Sequence, residues 1–155
     1  MSELAQVVAD AFVTTYQEVR DAIHELTAPL STKQFWMRPF PHGNSIGHLL
    51  LHLTGNLNHY IGAKVAGTGY IRNRPLEFSD ASQRPKEQLL ADFDAAIAMV
   101  IATIRKQRAE DWTAPYSAET PSKNRLAVFH RMAAHAQHHL GQIIYLAREV
   151  SKAPA

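Results

Sequence analysis

The chain has 155 residues and no cysteine, so it can form no disulfide, and any protein-supplied metal site must use histidine, carboxylate or amide ligands. Its formal net charge of +2 comes from lysines and arginines scattered among acids, with no basic run interleaved with aromatics, which argues against a nucleic-acid partner. Hydrophobic residues are 46% and charged ones 19%, the balance of a globular chain that buries a core. The start, MSELAQVVADAF, carries early acids and no basic segment, unlike a secretory leader, and no apolar run approaches the length of a membrane span. The expectation is one domain over 1–155, cytoplasmic, with no membrane partner.

The first predicted helix runs from about Ser2 to Leu26. Leu4, Val8, Phe12, Thr15, Val19, Ile23 and Leu26 recur at spacings of three and four, which marks one buried stripe, and His24 near its end reads as solvated. Pro29, Pro39, Pro41 and Gly43 punctuate a connection over 27–43, in which Trp36 and Phe40 are expected to fold back onto the bundle.

A second helix is expected from Asn44 or Ser45, both good N-caps, to about Val65. Its Ile46, Leu50, Leu53, Leu57, Tyr60 and Ile61 fall within one arc of about 100°. His48, His52, Asn56 and His59 form a polar line beside that arc. The following connection, 66–84, is long enough to suggest a functional loop, and its Arg72 and Arg74 are candidates for binding an anionic substrate group.

A third helix, from about Pro85 to Gln107, carries the core stripe Leu89, Phe93, Ile97, Val100, Ile101 and Ile104 and no evident chemistry. Alanines at 91, 95, 96, 98 and 102 would permit close helix–helix approach, including between subunits. After a connection over 108–123, a fourth helix is expected from about Ser122 to Val150, with Val128, Phe129, Met132, Ala136, Leu140, Ile143, Leu146 and Ala147 facing inward. Four helices without strand alternation predict an all-α four-helix bundle.

The chemistry sits in Met132–Ile143, MAAHAQHHLGQI. His135 and His139 are four residues apart, on one helix face at the edge of the inward arc, so both imidazoles can reach one ion. His138 points about 60° to the other side of His135 and is not made a ligand by adjacency. A third histidine from the second helix would complete a facial set of three. From spacing alone His48 and His52 compete for that place. Three imidazoles suit a divalent transition metal and leave positions open for water or substrate. The segment lacks the adjacent glutamate of HExxH zinc proteases, so that mechanism is not indicated.

Two stretches, FWMRPFPHGNSIGHLLLHLTGN from Phe35 to Asn56 and HRMAAHAQHHLGQIIYL from His130 to Leu146, resemble the DinB/YfiT-like family of metal-binding four-helix proteins. The family pattern has an aromatic and an Arg-Pro before a Ser-Ile-Gly helix start, then a ligand histidine followed by leucine. Two further ligand histidines spaced by four precede Gly-Gln-Ile. The resemblance implies His52, His135 and His139 as metal ligands, with Zn, Ni, Fe or Mn as the ion, and places His48 outside the ligand set. Within the family the chain is most similar to a subgroup with HLTGN at 52–56 and RNRPLEF at 72–78. It also implies up-down-down-up topology, frequent homodimers, and kinship with thiol S-transferases that use bacillithiol, mycothiol or glutathione and with a thiol-dependent maleylpyruvate isomerase.

The expected activity is therefore transfer of a low-molecular-weight thiol to a small electrophile. Arg72 or Arg74 would hold a cosubstrate carboxylate, and Asn56 would donate a hydrogen bond beside the metal. A metal-dependent hydrolase is the alternative enzyme. It needs a general base, and no acid lies one turn from His135 or His139, so His48 or His138 would have to serve. A stress-associated metal-binding protein without catalysis is the alternative outside enzymes.

Overall fold

The computed structural model describes residues 3–117 and 119–154, so the expected helix start at Ser2 lies outside the described residues. Four long helices carry the fold: α1 (Glu3–Thr27), α3 (Ile46–Leu57), α5 (Lys86–Arg105) and α6 (Arg125–Val150). Two short helices, α2 (Thr32–Trp36) and α4 (Leu76–Ser79), interrupt the connections over 27–43 and 66–84. Among the described residues there is no strand, and no helix is long and apolar enough to cross a membrane. α6 packs on α1 and α3, and α5 packs on the same two helices from the other side, so α1 and α3 lie diagonally opposite in the bundle.

One hydrophobic cluster runs through all four long helices, with Tyr16, Phe35, Phe93 and Phe129 among its largest fully buried side chains. On α1 Val19 and Ile23 are fully buried as expected, with Val8, Phe12 and Leu26 packed against the core, but the start of the stripe is rotated. Leu4 is 73% exposed, and Ala5, Ala9, Val13 and Tyr16 face inward instead. Leucine was the more hydrophobic choice, but small alanines let α1 approach its neighbours closely, and Tyr16 then donates its hydroxyl to the Phe129 carbonyl at 3.0 Å. His24 is not merely solvated, since its Nε2 lies 2.8 Å from Asp94 on α5.

Local capping explains most boundaries. Ser31 and Gln34 form a capping box on α2, and the Ser45 hydroxyl caps α3 by accepting from the His48 amide. Asn124 caps α6 with extended backbone, which starts that helix at Arg125 rather than Ser122. Trp36 is buried as expected and donates to the Arg84 carbonyl at 2.8 Å, whereas Phe40 stays 39% exposed beside His42. Gly47 makes the Trp36 position possible: a Cβ there would lie 2.7 Å from the indole Cε3.

The expected second helix does not stay α-helical to Val65. After Leu57 it widens into a π-helix, Asn58–Ala66, which ends at Gly67 in the left-handed region. The wider turn carries Tyr60, whose carbonyl accepts from the Tyr116 hydroxyl at 2.9 Å.

Candidate metal centre

α3 and α6 are neighbours, and their facing sides bring three imidazoles together. His52 Nε2 lies 3.1 Å from His135 Nε2, which lies 3.1 Å from His139 Nε2. All three offer ligand atoms within 4.8 Å of one another. Two nitrogens bound to one ion at about 2.1 Å can be at most about 4.2 Å apart, so a spacing of 3.1 Å suits neighbouring corners of one coordination shell.

The protein fixes the protons of two of these rings on their outer sides. His52 Nδ1 donates to Glu77 Oε2 at 2.8 Å, and His139 Nδ1 donates to Gln142 Oε1 at 2.7 Å. Both Nε2 lone pairs therefore point at His135. The His135 Nδ1 atom is buried with no hydrogen-bond partner among the described residues. With its proton on Nε2, His135 satisfies at most one facing lone pair well; with its proton on Nδ1, three lone pairs converge. A cation at that point satisfies all three nitrogens, so the residues present fit a divalent metal.

Burial favours the neutral form of His135 and His139. Burial, reinforced by the neighbouring His139 and His52, pushes the His135 pKa down to about 3. Burial also lowers His139, against the opposing effect of its Gln142 hydrogen bond. Neutral imidazole is the form that binds metal.

Behind His52 stands a buried ion pair. Arg72 donates from Nε to Glu77 Oε1 at 2.7 Å and from Nη2 to Oε2 at 2.9 Å, with both side chains below a tenth exposed. Burial alone would raise the Glu77 carboxyl, but hydrogen bonds from His52 and Arg72 outweigh it and hold the pKa below the usual value. Gly55 admits this carboxylate against α3. A Cβ there would overlap Oε1 and lie 2.9 Å from Cδ. Such carboxylate–histidine pairs fix ring orientation and raise ligand basicity in metal sites.

The cluster opens into a cavity of about 450 Å³ that holds His52, Asn56, Arg72, Arg74, His135 and His138 in its wall. Arg72 is committed to Glu77, which leaves Arg74, stacked over Phe78 at 5.4 Å, as the freer of the two expected anion binders. Asn56 is buried in the same wall, and its Oδ1 has no partner among the described residues.

His48 is not brought to the cavity. It is buried, accepts from Ser45 Oγ at Nδ1 (2.6 Å) and donates from Nε2 to the Asp80 carbonyl (3.0 Å), so both nitrogens are occupied. It ties the start of α3 to the segment just after Glu77, where Arg38 also donates to the Phe78 carbonyl at 2.7 Å. The roles of Glu77 and Gln142 were missed from sequence. Gln142 was findable, since it follows His139 by three residues on one helix face. Glu77 lies 25 residues from His52 on another element, and no local spacing links them.

A helical bundle whose inner face gathers three imidazoles defines a class of four-helix proteins with a candidate metal-binding histidine cluster. The chain belongs to the DinB superfamily, whose family model matches residues 15–143. Among solved structures it is similar to a conserved protein from Enterococcus faecalis, at 18% identity and TM-score 0.77, covering 99% of this chain and 100% of that one. It is also similar to a DinB-like protein from Bacillus cereus, at 11% identity and TM-score 0.72, covering 92% of each. At these identities the likeness speaks for the fold. No curated protein matches the sequence.

Proposed function

We propose that His52, His135 and His139 hold one divalent transition metal (Zn, Ni, Fe or Mn), and that the protein is a metal-dependent S-transferase for a low-molecular-weight thiol and a small electrophile. The observation that carries this reading is the convergence of three Nε2 atoms beside an open cavity lined by His52 and His135, with the protons of His52 and His139 turned outward by Glu77 and Gln142. Three protein ligands leave room for an exogenous one.

When bound, the metal supplies the acidity that turns a thiol into a thiolate near neutral pH. The chain's own residues do the rest. Glu77 and Arg72 hold His52 in one orientation, and Gln142 holds His139. Arg74 faces the cavity as an anchor for a cosubstrate carboxylate. The thiol proton would pass to His138 or Glu119, which line the same cavity. The sulfur then bonds to the electrophilic carbon, and the leaving group departs with the electron pair of the broken bond.

A homodimer working in the cytoplasm belongs to the same reading, supported by the exposed alanines 91, 95, 98 and 102 along α5. Hydrolysis is the second reading. Glu119 in the cavity wall favours it, as a carboxylate able to serve as general base.

Elemental analysis of protein purified without a metal-affinity tag tests the proposal, wild type beside His52→Ala, His135→Ala and His139→Ala. About one transition metal per chain, lost in each variant, followed by turnover of a thiol with an electrophile, is the expected result. No metal after reconstitution with Zn, Ni, Mn and Fe overturns it.

A further inference from the structure

The groove between α3 and α6 has a cavity on each side of the histidines. On one side lies the cavity already described, beside Asn56 on α3 and Arg131 on α6. On the other side a second cavity, of about 340 Å³, opens beside Leu49 on α3 and Gln142, Tyr145 and Leu146 on α6, with Phe40 and His42 from the connection before α3. Leu49 precedes His52 by three residues and Gln142 follows His139 by three, so this cavity begins about 4.5 Å along each helix from the imidazoles. Gln142 joins the two features, because its Oε1 accepts His139 Nδ1–H at 2.7 Å while its side chain lines the cavity.

The two cavities differ in chemistry. Arg72, Arg74, Arg131 and Glu119 line the first, whereas no acid, lysine or arginine among the described residues lines the second. Aromatic rings stand there instead. Phe40 is 39% exposed and Tyr145 72%, and the Phe40 ring lies 6.0 Å from that of His42 at an interplanar angle of 17°. Aromatic side chains around a cavity of this size favour a flat apolar ligand. A wall without charged groups leaves a charged ligand uncompensated.

We infer that this second cavity holds the aromatic part of an uncharged electrophile, against Phe40 and Tyr145, with the reacting carbon toward His139. The inference rests on the thiol-transfer reading above for its reaction, while the aromatic subsite stands on the cavity itself. A benzylic halide has the required form. The thiol sulfur bonds to the benzylic carbon as the carbon–halogen bond breaks, the halide leaves with that electron pair, and the thiol proton passes to a base of the charged cavity.

The test has a binding arm and a turnover arm, both on the full chain. Fluorine NMR titration with para-fluorobenzyl alcohol, an unreactive analogue, reads the subsite in the metal-free protein and again with Co(II) bound, whose unpaired electrons broaden the signal of a fluorine held nearby. Phe40→Ser and Tyr145→Ser, both at exposed positions, should each weaken binding about three- to tenfold, with Tyr145→Phe near wild type. In the turnover arm the same serine variants should lower the ratio of kcat/KM for para-fluorobenzyl chloride over chloroacetamide, with cysteine or glutathione as the thiol.

No binding to wild type, or equal binding by wild type and both serine variants, overturns the subsite and leaves the thiol reading standing. Binding that disappears as the protein is concentrated assigns the cavity to a second copy of the chain and overturns it too. Binding with Co(II) broadening but no transfer to either electrophile from either thiol supports the aromatic subsite and overturns the thiol reading, and with it the electrophile's role.

Discussion

Replacing Glu77 by glutamine keeps the shape of the side chain and removes its charge. In the wild type the carboxylate accepts His52 Nδ1–H at 2.8 Å and two bonds from Arg72 at 2.7 and 2.9 Å. The amide accepts at one oxygen only and turns an N–H₂ toward one of its former donors. Two consequences follow, on different observables. His52 loses the anion that fixes its tautomer, and loss of such a partner lowers metal affinity about 10–100-fold, or about 1.4–2.7 kcal/mol. Separately, the Arg72 guanidinium, with its side chain 9% exposed, is left buried without a counter-charge. Breaking one side of such a pair costs up to about 3–5 kcal/mol of stability.

Adding Arg72→Met to Glu77→Gln separates the two. The double variant should recover part of the lost stability, because no unpaired charge remains, while metal affinity stays low. Competition with a chromophoric chelator for Zn reads the first quantity, and urea unfolding of the metal-free protein reads the second. Wild-type metal affinity in Glu77→Gln would refute the claim that this carboxylate orients His52.

Gly55→Ala should mimic the loss of Glu77 without touching it: the added Cβ meets Cδ at 2.9 Å and displaces the carboxylate, so metal affinity falls, despite a gain in helix propensity of about 1 kcal/mol, in the same chelator competition. Gln142→Leu removes the acceptor of His139 Nδ1–H from an exposed position, so metal affinity should drop about tenfold with the melting temperature within a degree or two of wild type. Gly47→Ala forces a methyl against the Trp36 ring and should destabilise the fold by about 1–3 kcal/mol in urea unfolding, with the histidine cluster intact. Burial holds the His48 pKa below its ordinary value, against the opposing Asp80 carbonyl hydrogen bond. As pH falls below about 6.5 the unfolded chain takes up this proton before the folded one, so the contribution of neutral His48 is full above that pH and is lost as pH falls toward the folded pKa. In metal-free protein the stability advantage of wild type over His48→Gln should shrink between pH 7.5 and pH 5.5, and an advantage independent of pH refutes this.

The parts of the fold legible in the sequence are those set by local periodicity and capping. The stripes of α5 and α6 and the Ser45 cap needed only neighbours three or four residues away. Only the start of the α1 stripe differs, because Leu4 outranks Ala5 on hydrophobicity while the core there takes the smaller residue. The π-helical turn after Leu57 has no counterpart in the apolar pattern, which continues through Ile61 as though the helix were regular. At the site, His135 and His139 were visible as a spaced pair. His48 and His52 were equivalent by spacing, and only the tertiary fold separates them: Asp80 and Ser45 occupy both nitrogens of one, and Glu77 and His135 flank the other. Arg72 read as a substrate anchor because its carboxylate partner sits on a short helix that the sequence did not announce.

The pairing of α3 with α6 sets an order of events during synthesis. The contacts between α3 and α6 that close the histidine cluster join residue 52 to residues 135 and 139, and α6 is translated after every other described helix. α1 meets the same late helix, as the Tyr16 bond to Phe129 across 113 positions shows. Neither the bundle nor its imidazole triad can therefore exist while α6 is still inside the ribosome. Each nascent chain carries isolated histidines until α6 has emerged and docked on α3, so the cluster forms with the tertiary fold rather than before it.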